Sequence, residues 1–217
     1  MHVSLQQELK NDTSLKVQPR AIDVAMLPAL RSVLENNSNS DMSDHDYDEL
    51  KNKLFRVLPP AIRKWSSDVV EELEQFAREQ LSLPPLSKPS RLPSVIFRCT
   101  VCARSLRHHQ RFRFEEVLFH QHLYKEKPKD DKEYTGEMTL HDKLVMGQRT
   151  HPWSIQALRV DVIVSRRVEN LIKRMGQNPS RVTYDELRHS TVKVMCGLCR
   201  PQVATRMNFE QAVRDSV

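Results

Sequence analysis

Hydrophobic positions recur most regularly between Pro60 and Leu81, where Ile62, Trp65, Val69, Leu73, Phe76 and Leu81 share one face of a helical period. Arg63, Lys64, Glu71, Glu72 and Glu74 fall off that face, so the spacing predicts an amphipathic helix with a solvated side. Upstream, Leu50, Leu54 and Val57 repeat at helical spacing from Asp44 to Leu58. Pro59-Pro60 is expected to stop this first helix and start the second, because proline lacks the N–H and is tolerated only near a first turn. Together the two read as a helical hairpin over residues 44–83. Pro84, Pro85, Pro89 and Pro93 then predict an extended connector.

Beyond the connector the pattern shortens. Val95-Ile96-Phe97-Arg98 predicts a short strand running into Cys99, and Phe112–His122 predicts a helix. Ile155–Met175 carries Leu158, Val162, Leu171, Ile172 and Met175, with Gly176 as its stop. Its early stretch, Val160-Asp161-Val162-Ile163-Val164, also alternates like a strand, and length favours helix. Thr183-Tyr184-Asp185-Glu186 has the spacing of a capping box and opens a short helix. Val192–Met195 reads as a strand and Asn208–Arg214 as a last helix. Trp65 and Trp153 are expected as core anchors. Residues 1–43 end in the polar tract Asn36-Asn37-Ser38-Asn39-Ser40-Asp41 and are expected to be a disordered arm, within which Ile22–Leu34 has the pattern of a short helix broken at Pro28.

The fold class expected is therefore α-rich α+β: a helical domain over residues 44–217 with short strands at two zinc knuckles. Its parts are the hairpin 44–83, a knuckle at 95–122, a helical insertion at 136–190 and a knuckle at 192–217. The two knuckles echo each other. Phe97-Arg98-Cys99-Thr100-Val101-Cys102 precedes Phe114-Glu115-Glu116, and Val194-Met195-Cys196-Gly197-Leu198-Cys199 precedes Phe209-Glu210-Gln211. Each half reads as strand, Cys-x2-Cys, then a helix opening on Phe-Glu, which suggests a duplication.

Cysteine usage sharpens this picture. All four cysteines of the 217-residue chain fall into the pairs Cys99/Cys102 and Cys196/Cys199. Two thiolates two residues apart curl around one metal, and zinc takes four such ligands in a tetrahedron. The expected arrangement is one structural zinc shared by Cys99, Cys102, Cys196 and Cys199, with His120 as a further candidate ligand and two separate sites as the alternative. The sequence Cys99-x2-Cys102-x17-His120-x-His122 has the ligand types of a nucleic-acid-reading finger, but its spacings differ from that module's. His108, His109, His122, His141, His151 and His189 read as surface histidines.

Net charge is +6, and the first 58 residues hold seven Lys/Arg against nine Asp/Glu, so the positive excess lies beyond them. Arg98, Arg104, Arg107, Arg111 and Arg113 run without an acidic residue, interleaved by Phe112 and Phe114. Arg104, Arg107 and Arg111 are the candidate phosphate contacts if this run binds nucleic acid, a weak partner at most. The competing reading is a solvated knuckle rim whose phenylalanines face the core. Redox chemistry is the other rival: a reactive Cys-x2-Cys wants a helix N-terminus in a βαβ setting, which Cys99 lacks; Cys196-Gly197-Leu198-Cys199 is the better redox candidate, but two such motifs in one chain favour metal. No Gly-rich phosphate loop, Gly-x-Ser-x-Gly or His-Glu-x-x-His is present, so no enzyme is expected. No apolar run approaches the roughly 20 residues of a membrane span, and no signal-peptide pattern follows Met1. The chain is expected to be intracellular, cytoplasmic or nuclear.

Leu58-Pro59-Pro60-Ala61-Ile62-Arg63-Lys64-Trp65, Val95–Cys102, Val117-Leu118-Phe119-His120 and Cys196–Cys199 ahead of Phe209–Val213 resemble a group of uncharacterised fungal F-box-type proteins. The resemblance covers residues 45–217 and implies that each Cys-x2-Cys pairs with a downstream histidine. His120 fits; Asp215 stands where the second histidine would be. Leu58-Pro59-Pro60 resembles the opening of an F-box, the helix after it lacks the rest, and a ubiquitin-ligase role is not carried over. The function expected is a non-enzymatic, zinc-binding module that docks on a protein partner. Its alternatives are a nucleic-acid-binding protein and a dithiol oxidoreductase.

Overall fold

A computed structural model of the chain describes residues 18–35, 43–102, 111–125, 139–195 and 206–215. In chain order these form α1 (Ala21–Ala25), α2 (Pro28–Glu35), α3 (Asp44–Leu81), β1 (Ile96–Cys99), β2 (Arg111–Arg113), α4 (Phe114–Val117) and α5 (Leu140–Met146). They continue as β3 (Leu158–Val160), α6 (Val162–Arg174), α7 (Tyr184–Arg188), β4 (Val194–Met195), β5 (Arg206–Met207) and α8 (Phe209–Asp215). Short 3-10 turns sit at Pro89–Arg91, Gln121–Leu123 and Ile155–Ala157. The class is the α-rich α+β one expected, helical with short strands. The chain divides into two compact units: Met1–Glu72 with Gln121–Ile155, and Leu73–His120 with Gln156–Val217.

In the first unit, α1 and α2 correct the expectation of an arm over residues 1–43. Ile22, Ala25, Leu27, Leu30 and Leu34 are all buried, Ile22 to 1 % exposure. Leu27, Leu30 and Leu34 pack against Leu50, Leu58 and Ile62 of α3, with Trp65 partly buried beside them. The polar tract hid this face, because the apolar positions cluster in only thirteen residues, Ile22–Leu34, ahead of it. The break falls as the pattern implied, with Pro28 opening α2. The rest of the expected arm, residues 1–17 and 36–42, lies outside the described residues.

Pro59 and Pro60 do not divide the hairpin; α3 is one element with both prolines inside it. An interior proline costs about 3 kcal/mol through its lost hydrogen bond and its clash with the preceding turn. The apolar stripe nevertheless stays in phase across them, as Leu50, Leu54, Leu58 and Ile62 at steps of four. Each fully buried aliphatic side chain stabilises by roughly 1.5–3 kcal/mol, and Leu50, Leu58 and Ile62 are all buried. Tertiary burial overrides the local breaker. His141 of α5, expected on the surface, is also buried here, its Nε2 2.9 Å from the Ala25 carbonyl.

The second unit is built on an antiparallel sheet of order β2-β1-β3, with Phe97 opposite both Phe112 and Val160. The expected helix over Ile155–Met175 is instead β3 followed by α6. Leu158 and Val160 are buried and Arg159 between them is exposed, a strand alternation. Asp161 then caps α6, its Oδ1 accepting the Val164 N–H at 3.2 Å. Gly176 ends α6 at φ 75°, with the Gln177 N–H reaching the Ile172 carbonyl. The Thr183–Glu186 capping box is formed and opens α7. Val164, Val168 and Ile172 of α6 pack with Ile96, Leu187 and Phe209 into one core.

Two predictions follow from this packing. Leu30→Ala is expected to cost about 2–5 kcal/mol, as core Leu truncations do, read by denaturant unfolding. A loss within about 0.5 kcal/mol, typical of a surface site, would return residues 18–35 to an undocked arm. Met26, half exposed between α1 and α2, serves as the control and should tolerate alanine with little change.

Candidate metal centre

β1 ends on Cys99, and the turn that follows carries Cys102. Ile96, Phe97 and Cys99 are buried and Arg98 is exposed, so the last inward position of the strand is a thiol. The turn is fixed from outside: both the N–H and the Oγ1 of Thr100 donate to the Ala157 carbonyl, at 2.8 and 3.1 Å. The chain returns through β2 and the single turn of α4, where Phe114 sets its ring edge-on to Phe97 at 6.0 Å. Beyond α4, the His120 N–H bonds the Val117 carbonyl, and the 3-10 turn Gln121–Leu123 brings in His122.

This path gathers one ligand atom from each of Cys99, Cys102, His120 and His122 to within 4.8 Å of one another. Cys99, Cys102 and His120 are buried, at 0, 8 and 7 % exposure, and His122 is half-buried. Cys102 Sγ stands 3.4 Å from His120 Nε2. Donors around a tetrahedral metal, at about 2.0–2.3 Å from it, lie roughly 3.3–3.8 Å apart, so this spacing is compatible with two ligands on one ion. The Phe112 ring lies over the His120 ring at 4.2 Å and shields it.

Burial, and after it the neighbouring Cys99 thiol, pushes the Cys102 thiol up to about 11. A thiol so placed stays protonated at neutral pH, whereas a coordinated metal deprotonates it outright. Two soft sulfurs and two imidazoles suit a tetrahedral ion, and four protein donors leave no position for a reacting water. A metal held by all four is structural in kind.

The ligands expected from the sequence are met unevenly. Cys99, Cys102 and His120 come together as candidates. His122, read as a surface histidine, is the candidate ligand that was missed. On the expected Phe112–His122 helix, residues 120 and 122 point to nearly opposite sides; α4 stops at Val117, and the irregular chain after it lets both rings converge. The His-x-His close behind a Cys-x2-Cys was the available signal. Cys196 and Cys199 lie outside the described residues, although β4 and β5 on either side of them pair antiparallel and α8 follows, repeating the hairpin-then-helix order of the first knuckle. Because the first knuckle assembles four donors of its own, sharing with Cys196 and Cys199 is not required to complete a tetrahedron.

Of the arginine run, Arg111 and Arg113 are engaged by neighbouring side chains. Arg104 and Arg107 lie outside the described residues. Arg111 donates from Nε to Asp161 Oδ2 at 2.9 Å, and the pair is largely buried. Arg113 pairs with Glu116 at 2.6 Å and stacks on the Tyr184 ring at 4.2 Å. Phe114 is buried in the core, while Phe112 is half-buried against His120.

Asp161 gives this corner a pH signature. Its burial raises the carboxyl, but the Arg111 hydrogen bond, the Val164 N–H and the charges of Arg111 and Arg98 outweigh that and hold it below the ordinary 3.8. A carboxyl lowered on folding contributes stability that is present above its unfolded value and lost as pH falls through its folded one. Asp161→Asn is therefore expected to cost about 1–3 kcal/mol at neutral pH, with the two stability curves converging below about pH 4. Curves that stay parallel down to pH 2 would show that the Asp161 charge contributes nothing.

No protein-family model, curated protein or solved structure matches the chain.

Proposed function

We propose that the chain is a zinc-stabilised, non-enzymatic interaction module, its metal held by Cys99, Cys102, His120 and His122. The observation that carries this is the convergence of four zinc-type donors within 4.8 Å, drawn from a stretch of 24 residues and largely shut off from water. Zinc is the favoured ion because it binds tetrahedral sulfur and nitrogen sets without redox chemistry. Zinc in such a site supplies folding free energy and fixes short, weakly structured segments that a small core cannot hold. β2 and α4, of three and four residues, are segments of that kind.

Exposed apolar side chains on the knuckle support a protein partner. Val101, between the two cysteines, is 44 % exposed, and Phe119, beside His120, is 59 % exposed. Nucleic-acid binding is the weaker reading, because Arg111 is spent on Asp161 and α4 is too short to enter a groove as a reading helix does. Dithiol chemistry is disfavoured at this pair by the raised Cys102 thiol, since a reactive cysteine needs a lowered one. No described helix is long and apolar enough to cross a membrane.

The test is metal content by mass spectrometry on the purified chain and its variants. Cys99→Ser, Cys102→Ser, His120→Ala and His122→Ala are each expected to lose the zinc of this site and to lower the melting temperature by many degrees. The double variant Cys196→Ser/Cys199→Ser is expected to keep it. Zinc absent from that double variant would instead assign the metal to four cysteines, and full zinc in His120→Ala with His122→Ala would remove the histidines from the site.

A further inference from the structure

The turn that presents His122 is a single 3-10 turn, Gln121–Leu123, too short to hold its own position. What holds it lies on its far side. Leu123 is 1 % exposed, and its carbonyl accepts the Ser154 N–H at 3.0 Å. Two residues on, the Lys125 carbonyl accepts the His151 N–H at 2.7 Å. Between them Tyr124 is buried, its ring covered by the Arg20 guanidinium at 3.9 Å and its hydroxyl bonded to the Asp23 carboxylate.

Asp23, on α1, is the group on which these contacts converge. It is 2 % exposed. Its Oδ1 accepts the Trp153 N–H at 2.9 Å and its Oδ2 accepts the Arg20 N–H at 2.8 Å, while the Tyr124 hydroxyl supplies a third donor. One carboxylate thus bonds both the segment after His122 and the 151–154 segment laid beside it. Three donors on two oxygens suit a carboxylate and not an amide, because an amide has one acceptor oxygen and turns a donor toward one of these N–H groups. Burial raises the Asp23 carboxyl, and the bonds it accepts work against that rise.

We propose that Asp23 is a positioning residue for the metal site, fixing through Tyr124 and Trp153 the turn that delivers His122. The inference rests on the four-ligand reading above. Groups that orient a ligand without touching the metal change metal affinity by roughly 10–100-fold when removed, and Asp23 stands 99 residues from the ligand it orients.

The experiment uses the full-length chain with Cys196→Ser and Cys199→Ser, so that thiolate bands report Cys99 and Cys102 alone. Cobalt(II) is the spectroscopic probe and zinc affinity is measured by chelator competition. Asp23→Asn and Tyr124→Phe are expected to weaken zinc binding about 10-fold or more. Their cobalt ligand-field bands should shift toward those of His122→Ala, with the thiolate charge-transfer band retained. Leu34→Ala, which lowers stability in the same unit without touching this network, should keep the parent spectrum and affinity. Parent-like spectra and affinities in Asp23→Asn and Tyr124→Phe, with stability lost as in Leu34→Ala, would reduce Asp23 to a purely structural role. An unchanged cobalt spectrum in His122→Ala would overturn the four-ligand reading itself, and the proposal with it.

Discussion

Strand β1 is hydrogen-bonded on both edges, to β2 and to β3, and the position of the candidate metal centre depends on that. A four-residue strand has little stability alone. Paired twice, and with Phe97 fully enclosed, β1 has neither register nor face left to choose. Cys99 then sits at its buried end as a matter of alternation, and the Thr100 bonds to Ala157 set the turn that swings Cys102 back toward it. The thiol half of the site is thus built by sheet pairing before any metal is considered.

The histidine half is built by different means. His120 follows one turn of helix and is shielded by Phe112; His122 sits on a 3-10 turn tied to segments far away in the chain. Neither element is long enough to be rigid by itself. Burial and the neighbouring Cys99 thiol also keep the Cys102 thiol in its neutral form, which a bound cation would reverse. A metal bound by all four would favour the thiolates and hold the two histidine-bearing segments at its donors. Among the described arginines of this stretch, Arg111 and Arg113 brace the returning strand through Asp161, Glu116 and Tyr184.

Much of this was legible in the chain. The strand into Cys99, the Gly176 stop and the Thr183 capping box follow from local rules and were formed as written. What local rules missed was decided by distant partners. The prolines at 59 and 60 read as a break because their cost is local, while the stripe that outweighs it gains its energy from α1 and α2. β3 read as helix because its partner, β1, lies some 60 residues earlier. At the site, Cys99, Cys102 and His120 stood out by residue type and spacing. His122 was lost because its role depends on where α4 ends, and a one-turn helix leaves almost no periodic trace. The echo between the halves survives as backbone order, with α4 opening at Phe114 and α8 at Phe209.

The claim on which the account turns is that one metal is bound by two sulfurs and two nitrogens from a single knuckle. X-ray absorption at the zinc edge, on full-length protein carrying Cys196→Ser and Cys199→Ser, tests it most directly. The account predicts about one zinc per chain, with two sulfurs near 2.3 Å and two nitrogens near 2.0–2.1 Å, the distances of tetrahedral zinc. Failure of that protein to bind zinc, with a first shell of four sulfurs in the unaltered chain, would contradict it and place the metal between the two cysteine pairs.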